Sequence, residues 1–388
     1  MIALSLAAGL TVISAENTPR TTASWTCAYV AERLPRSLGL LGDDTATAGE
    51  TRSARTRLKL LETVLTRASN LALTRDLGGT RLIVVRCRDA GVETTIEAQD
   101  FDAQRPVAGS VVRASRPRAD IAAAVDEIAG RLATAPPPLG LSGYRAPKAA
   151  ALSKAGPALA LERAGDRARG LLAALEDDPG SIDLRLSAVE ALIAARDFDS
   201  ALRVGGVAAE RDAPRALVRA LRFLVGAAQL EAGRYAEAAE TFEALRSARE
   251  TAAVLNNLGV ARFRLRDPSA SALFEQAGAL RDGRQNDISF NRSLALIFEG
   301  RAEGALPSIG RLLEATPEDA RVLLLRVWAL RILGREKERS ETWEGLLAQA
   351  PSFAPLAVPD LARRLERIFF SERAQGIEPT PQLVRSID

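Results

Sequence analysis

The amino-acid sequence predicts an α+β domain followed by an all-helical repeat array, and three observations carry that prediction. In the first third, the apolar run Leu82-Ile83-Val84-Val85 leads through a turn into residues that alternate apolar and polar. From about residue 159 onward the pattern is helical, dominated by Ala, Leu, Arg and Glu, with almost no strand signal. Within that second half, glycines and prolines recur at a spacing of 34.

The first domain spans residues 16–134. Helical stretches are predicted at 25–38, 51–65 and 68–77, with Pro35 breaking or kinking the first after Leu34. Gly78-Gly79 ends the third in the manner of a left-handed cap. The Leu82 strand follows and runs into Cys87, Asp89-Ala90-Gly91 makes a hairpin turn, and Val92, Thr94, Ile96 and Ala98 form the inward face of its partner. A third strand is predicted at 107–114. Ile121, Val125, Ile128 and Leu132 then give a helix with one apolar face. The expectation is a three-stranded antiparallel meander covered by that helix. Residues 135–158, beginning Ala135-Pro136-Pro137-Pro138, read as a Pro/Gly-rich linker between domains.

Composition narrows the function. The chain has 388 residues, 47% of them hydrophobic, which allows two or three domains with real cores and excludes general disorder. The 52 basic and 49 acidic residues leave a formal +3, too balanced for nucleic acid or anionic membrane to be bound by bulk charge. There is no histidine, so Ser-His-Asp and Cys-His nucleophile systems and histidine metal ligands are absent. GxGxxG, GxxxxGK, GxSxG and HExxH are missing too. No cofactor, metal or catalytic residue is expected, and the acid pairs Asp43-Asp44 and Asp126-Glu127 read as solvated charge.

Residues 1–15 are uncharged and apolar, short of the roughly 20 residues that a membrane span needs. Their length fits the apolar region of a signal peptide, with Ser14-Ala15 supplying small residues for cleavage, although no basic n-region precedes it. This reading places the protein in the periplasm or outside the cell. An uncleaved segment would instead be an apolar first element of a cytoplasmic protein. Cys27 and Cys87 have no companion ligands, so zinc is not supported. In an exported chain they could form one disulfide; otherwise they are two separate small core residues.

The repeat carries a family resemblance. Gly300 and Gly334 are 34 apart, as are Pro317 and Pro351, and Gly259 and Ser293. Leu258-Gly259 with Ala261, then Gly233, Tyr235, Ala238 and Phe242, then Gly300, Ala305 and Pro317, and Gly334, Trp343 and Pro351 fall at the small and large positions of two antiparallel helices. On these residues the second half resembles the tetratricopeptide repeat (TPR) family, as five units and a partial sixth over 159–352. The final unit diverges, with Arg326-Val327 at the Leu-Gly position and Arg339 at the alanine position. A capping helix and tail are predicted at 353–388, with Leu361, Leu365, Ile368 and Phe369 inward.

The resemblance implies a helical solenoid whose first helices line a groove for a peptide or partner helix. Asn257 and Asn291 match the first-helix asparagine that contacts ligand backbone in peptide-binding members. Asn256, Arg264, Phe290, Phe298 and Arg321 are predicted near the same surface. The implied function is a non-enzymatic protein interaction scaffold of the bacterial cell envelope. The amino-terminal domain vaguely resembles the small α/β domains of bacterial envelope assembly proteins, such as the amino-terminal domain of TolB or curli and flagellar outer-membrane factors, but shows no leading strand before Trp25. Two other readings are an enzyme or small-ligand sensor in that domain, with repeats that only localise it, and a cytosolic TPR regulator.

Overall fold

The structure is a computed structural model and describes residues 11–17, 25–41, 43, 45–60, 65–90, 92–103, 108–134, 141, 144–207, 213–280 and 285–349. The described residues up to Ala253 form one compact unit and those from Val254 a second. The predicted capping helix and tail at 353–388 lie outside the described residues.

The sheet has four strands, in the order β1 (Thr11–Asn17), β2 (Arg81–Ala90), β3 (Glu93–Asp102) and β4 (Ala108–Pro117). The meander β2-β3-β4 is antiparallel as predicted, but β1 adds to it in parallel, with Val12 opposite Leu82 and Ile13 opposite Ile83. The leading strand missing from the sequence pattern is therefore present inside the segment read as a signal peptide. A buried strand beside another buried strand shows no polar alternation, so an apolar run of this kind reads equally as a secretory segment. Val12 and Ile13 are buried, and removal of residues 1–15 would strip most of the strand.

Parallel pairing requires a crossover, and three helices supply it: α1 (Trp25–Leu40), α2 (Ala48–Arg57) and α3 (Arg67–Asp76). Pro35 does not break α1, which continues to Leu40. Leu34 and Leu38 on either side are fully buried, and this packing outweighs the loss of one helical hydrogen bond. Helix α2 starts at a Thr47/Glu50 capping box and ends at Leu58, where Lys59 takes a left-handed conformation, so it is displaced from the predicted 51–65. Gly78, at φ +74, closes α3 as expected. The hairpin also follows the prediction, with Thr94, Ile96 and Ala98 buried; Val92 instead sits in the turn and is 85% exposed.

Helix α4 (Ile121–Leu132) buries all four predicted residues, and with α1 it covers one face of the sheet. On the other face Val12 packs with Ala46, Ala54, Leu65 and Leu73 from the α2 and α3 region. The linker segment contains a helix. Within 135–158, α5 (Ala149–Leu159) is helical and largely buried, and it packs on α1 and α6 (Ala164–Asp177). The apolar core runs unbroken from Ile13 and Cys27 through Val125, Leu152 and Leu171 to Leu224. The first domain and the first helices are thus one hydrophobic body and not two domains on a tether.

Helices continue in pairs: α7 (Ile182–Ala194) with α8 (Phe198–Gly206), α9 (Arg215–Glu231) with α10 (Tyr235–Ala248), α11 (Ala252–Arg264) with α12 (Ala270–Ala279), α13 (Gln285–Phe298) with α14 (Ala302–Ala315), and α15 (Ala320–Ile332) with α16 (Glu336–Gln349). The partial first unit expected from residue 159 is the full pair α5 and α6.

Candidate functional site

The predicted binding residues lie in the second unit, on the first helices α11, α13 and α15 and at their ends. Helix α11 is buried on every side from Ala252 to Ala261, so its polar residues must find partners inside the protein. They do so with each other. Asn291 Nδ2 donates to Asn256 Oδ1 at 2.7 Å, and Asn256 Nδ2 donates to Asn257 Oδ1 at 3.1 Å. The three asparagines form a continuous amide row across α11 and α13. They were expected in contact with a ligand or solvated as ordinary consensus residues; they are not solvated, since Asn256 and Asn257 are 0% exposed and Asn291 is 1%.

Phe290, next to Asn291, is also buried, and the Arg321 guanidinium stands 5.6 Å from its ring centroid. Arg321 donates through Nε and Nη2 to Asp319, the N-cap of α15, at 3.1 and 2.8 Å. Burial alone would raise the Asp319 carboxyl, but its bonds with Arg321 hold it below its ordinary value. Phe298 belongs to an aromatic row, 5.1 Å from Phe263 and 5.3 Å from Trp328 between centroids, which packs the helices together. Arg264 is exposed near the end of α11. The structure thus gathers Asn256, Asn257 and Asn291 in one group and Phe290 with Arg321 in another, packs Phe298 in the aromatic row and leaves Arg264 exposed. Amides, an aromatic ring and a guanidinium can bind; none of them supplies an acid–base pair.

The helix pairs share one turn. Arg196, Gly233, Arg266, Gly300 and Gly334 all have φ between +58 and +76. At each of them the next residue donates its N–H back across the helix end: Asp197 to Leu192, Arg234 to Gln229, Asp267 to Arg262, Arg301 to Leu296 and Arg335 to Leu330. Behind the turns, a small residue on the first helix faces an aromatic ring on the second. A Cβ placed on Gly226 would meet Phe242 at 2.8 Å, and one on Gly259 would meet Phe274 at 2.7 Å.

These helix pairs have the fold of tetratricopeptide repeats. The assignment rests on the chain's own turns and contacts. No protein-family model matches the chain, and no curated protein matches it. Among solved structures, the TPR half is similar to YrrB, described as a TPR protein with an unusual peptide-binding site, at 19% identity and a TM-score of 0.37, over 47% of this chain and 94% of that one. It is similar to MamA at 16% identity and a TM-score of 0.37, over 46% and 96% of the two chains. It is also similar to PilF of Pseudomonas aeruginosa at 20% identity and a TM-score of 0.39, over 52% and 92%.

A second polar cluster, not foreseen from sequence, joins the sheet domain to the first TPR units. Arg33, with its side chain 1% exposed, donates through Nε and Nη2 to Asp126 of α4 at 3.0 and 2.8 Å and through Nη1 to Asp183 of α7 at 3.2 Å. Its guanidinium lies 3.8 Å from the Tyr144 ring centroid. Asp183 also accepts from Arg36 Nη1, from Tyr144 Oη at 2.9 Å and from Tyr29 Oη at 3.3 Å. Burial works to raise its carboxyl, but Arg36 and Arg33 outweigh that and hold it low. Asp126 is therefore an ion-pair partner and not a solvated helix charge. Asp43 likewise is buried, accepting from Arg81 Nη1 at 3.2 Å and from Thr134.

Glu32 completes the cluster, taking Arg52 Nη1 at 2.7 Å on one oxygen and Arg36 Nη2 at 3.0 Å on the other. Its carboxyl is held low by these arginines against the effect of burial. One sequence signal for the cluster exists in α7. Asp183, Ser187 and Glu190 fall on one face of it at spacings of four and three, beside the apolar stripe of Ile182, Leu186, Val189 and Ile193.

Cys27 of α1 and Cys87 of β2 are joined in a disulfide, with Cα atoms 5.5 Å apart. This decides between the two alternatives left open by the sequence. Among the described residues there is no group of side chains able to hold a metal ion, and no helix is long and apolar enough to cross a membrane.

Proposed function

We propose that the protein is a non-enzymatic interaction scaffold of the bacterial cell envelope whose TPR first helices take a peptide or partner helix. The observation that carries this reading is the amide row Asn256, Asn257 and Asn291 across the first helices α11 and α13. Carboxamides offer a donor and an acceptor each, which is what an extended peptide backbone requires. The row is buried in the present arrangement, so a peptide has to part α11 and α13 locally to exchange the Asn291–Asn256 and Asn256–Asn257 bonds for its own. The disulfide supports an oxidising compartment, since such bonds are rare where thiols are kept reduced.

The test is affinity capture from a Gram-negative envelope fraction with the wild-type chain and with Asn257→Ala and Asn291→Ala. A protein retained by the wild type and lost from both folded variants supports the groove; equal retention by all three sinks it. Intact mass and thiol titration of the same preparation address the compartment. A cytosolic protein with two free thiols would overturn the envelope assignment.

A further inference from the structure

Helix α13 has no wet side where a helical repeat leaves one. In a stack of helix pairs a first helix meets its own second helix on one side and neighbouring helices on its flanks, and the side turned away from the second helices is the open wall of the groove. The neighbours of α13 are α12, α14 and α15, with α11 bonded to it through Asn256. Ser293 stands 34 residues after Gly259, which faces Phe274 of its own pair, and Phe290 and Leu294 lie roughly 60 and 100° round the helix from Ser293. They belong to the groove wall, together with Leu324 and Trp328, 34 residues on in α15, and Val260, 34 residues before Leu294 in α11. All five are apolar, and none is more than 8% exposed. Ser293 to Ile297 are buried without a break, which is more than a full turn. Asn257, Asn291, Arg321 and Trp328 make polar or ring contacts in addition to those described above. The groove wall is therefore covered.

Three observations choose what covers it. Within the second unit the chain outside the described residues is 281–284, four residues that join α12 to α13, and the segment from 350 onward. That segment carries Leu361, Leu365, Ile368 and Phe369 at spacings of 4, 3 and 1, with Arg363, Arg364 and Arg367 between them, the pattern of a helix with one apolar stripe. Helix α16, on which a capping helix would stack, already has a wet outer stripe, since Lys337, Glu341, Glu344 and Ala348 are exposed at spacings of 4, 3 and 4, and such a face ends a repeat array by itself. The chain from Gln349 to Leu361, with Pro351, Pro355 and Pro359 in it, can span about 40 Å, enough for three helix spacings of about 10 Å each from α16 back to α11. Granted the reading of the groove as a partner-helix site, we propose that residues 359–371 of this same chain occupy it as an amphipathic helix. The scaffold is closed at rest, and the partner that opens it is a helix with large apolar residues at i, i+4 and i+7.

The full-length chain is prepared with Phe369 replaced by the photo-crosslinker p-benzoylphenylalanine, irradiated at high dilution and digested for mass spectrometry. Attachment within one chain to α11, α13 or α15 is the expected result. Attachment to α16 alone, attachment between two copies, or no attachment overturns the proposal. A fluorescent peptide of residues 359–373 is then titrated into the wild type and into the full-length variant Leu365→Asp with Phe369→Asp, whose helical dichroism is checked first. The variant binds the peptide at least tenfold more tightly than the wild type does. Equal affinity for both, or binding to neither, overturns the proposal, and an unfolded variant leaves the crosslink to decide.

Envelope capture with the same two chains separates the closed groove from the scaffold itself. A partner retained more by the variant than by the wild type supports both. A crosslink to the groove with no envelope protein retained by either chain sinks the scaffold and keeps the closed groove. A partner retained equally by both chains, without that crosslink, sinks the closed groove and keeps the scaffold.

Discussion

Glu190 is the residue at which pH reads this fold. Burial pushes its carboxyl up to about 7, and the nearby Glu32 carboxylate adds to that shift. Between about pH 4.5 and 7 the folded chain holds a proton that the unfolded chain has released, so stability falls as pH rises through this window. The full loss, reached above pH 7, is about 3 kcal/mol. The chain has no histidine, so no imidazole competes in that range. Glu190→Gln is expected to flatten the slope and to exceed the wild type at pH 8, measured by urea midpoints at pH 5, 6, 7 and 8. An unchanged slope would remove Glu190 as its cause. Asp183 has the opposite sign: held low by Arg36 and Arg33, it contributes stability that is lost as the solution is acidified below its ordinary value. Asp183→Asn leaves two buried arginines undercompensated and should cost about 3–5 kcal/mol in urea unfolding at pH 7.

Within the elements, the shared turn and the glycine-aromatic contact explain what the sequence displays and what it conceals. Glycine at the left-handed position makes Gly233, Gly300 and Gly334 legible as landmarks. Arg196 and Arg266 occupy the same turn at φ +60 and +58, which hides two of the units from a search by glycine. Arg266→Gly relieves that conformation and should raise stability by about 1 kcal/mol, seen as a higher melting temperature. Gly259→Leu does the reverse, because Phe274 already fills the space beyond the α carbon. It should cost about 1–3 kcal/mol, and an unchanged melting temperature would contradict the assigned contact. Strand β1 escaped notice for a different reason. Thr11–Asn17 has the hydropathy of a secretory segment, and only its pairing with β2 marks it as part of the sheet.

Across the whole molecule, the disulfide and the continuous core set the folding unit. The Cys27–Cys87 bond closes a separation of 60 residues, for which chain entropy gives about 4 kcal/mol. Reduction, or replacement of both cysteines by serine, should lower the urea midpoint accordingly. Since α1 meets α5 and Arg33 and Arg36 both reach Asp183, a fragment ending at residue 134 should not fold. Recovery of such a fragment with native sheet dichroism would show that the sheet domain stands alone.

The sequence by itself determined what depends on local periodicity. The meander from alternation, helix α4 from its apolar spacing, the 34-residue repeat and the absence of imidazole chemistry all follow from residue type at fixed separation. Tertiary structure decided what depends on residues distant in the chain. Arg33 and Asp183 are 150 positions apart and carry no mark of each other in the sequence, yet their burial together fuses the sheet domain to the repeats. The asparagines show the same division. Their 34-residue spacing is legible, but only the close approach of α11 and α13 bonds Asn291 to Asn256 and so joins them in a buried row of amides. A buried polar group takes whichever partner packing brings within reach, and packing is a property of the assembled chain.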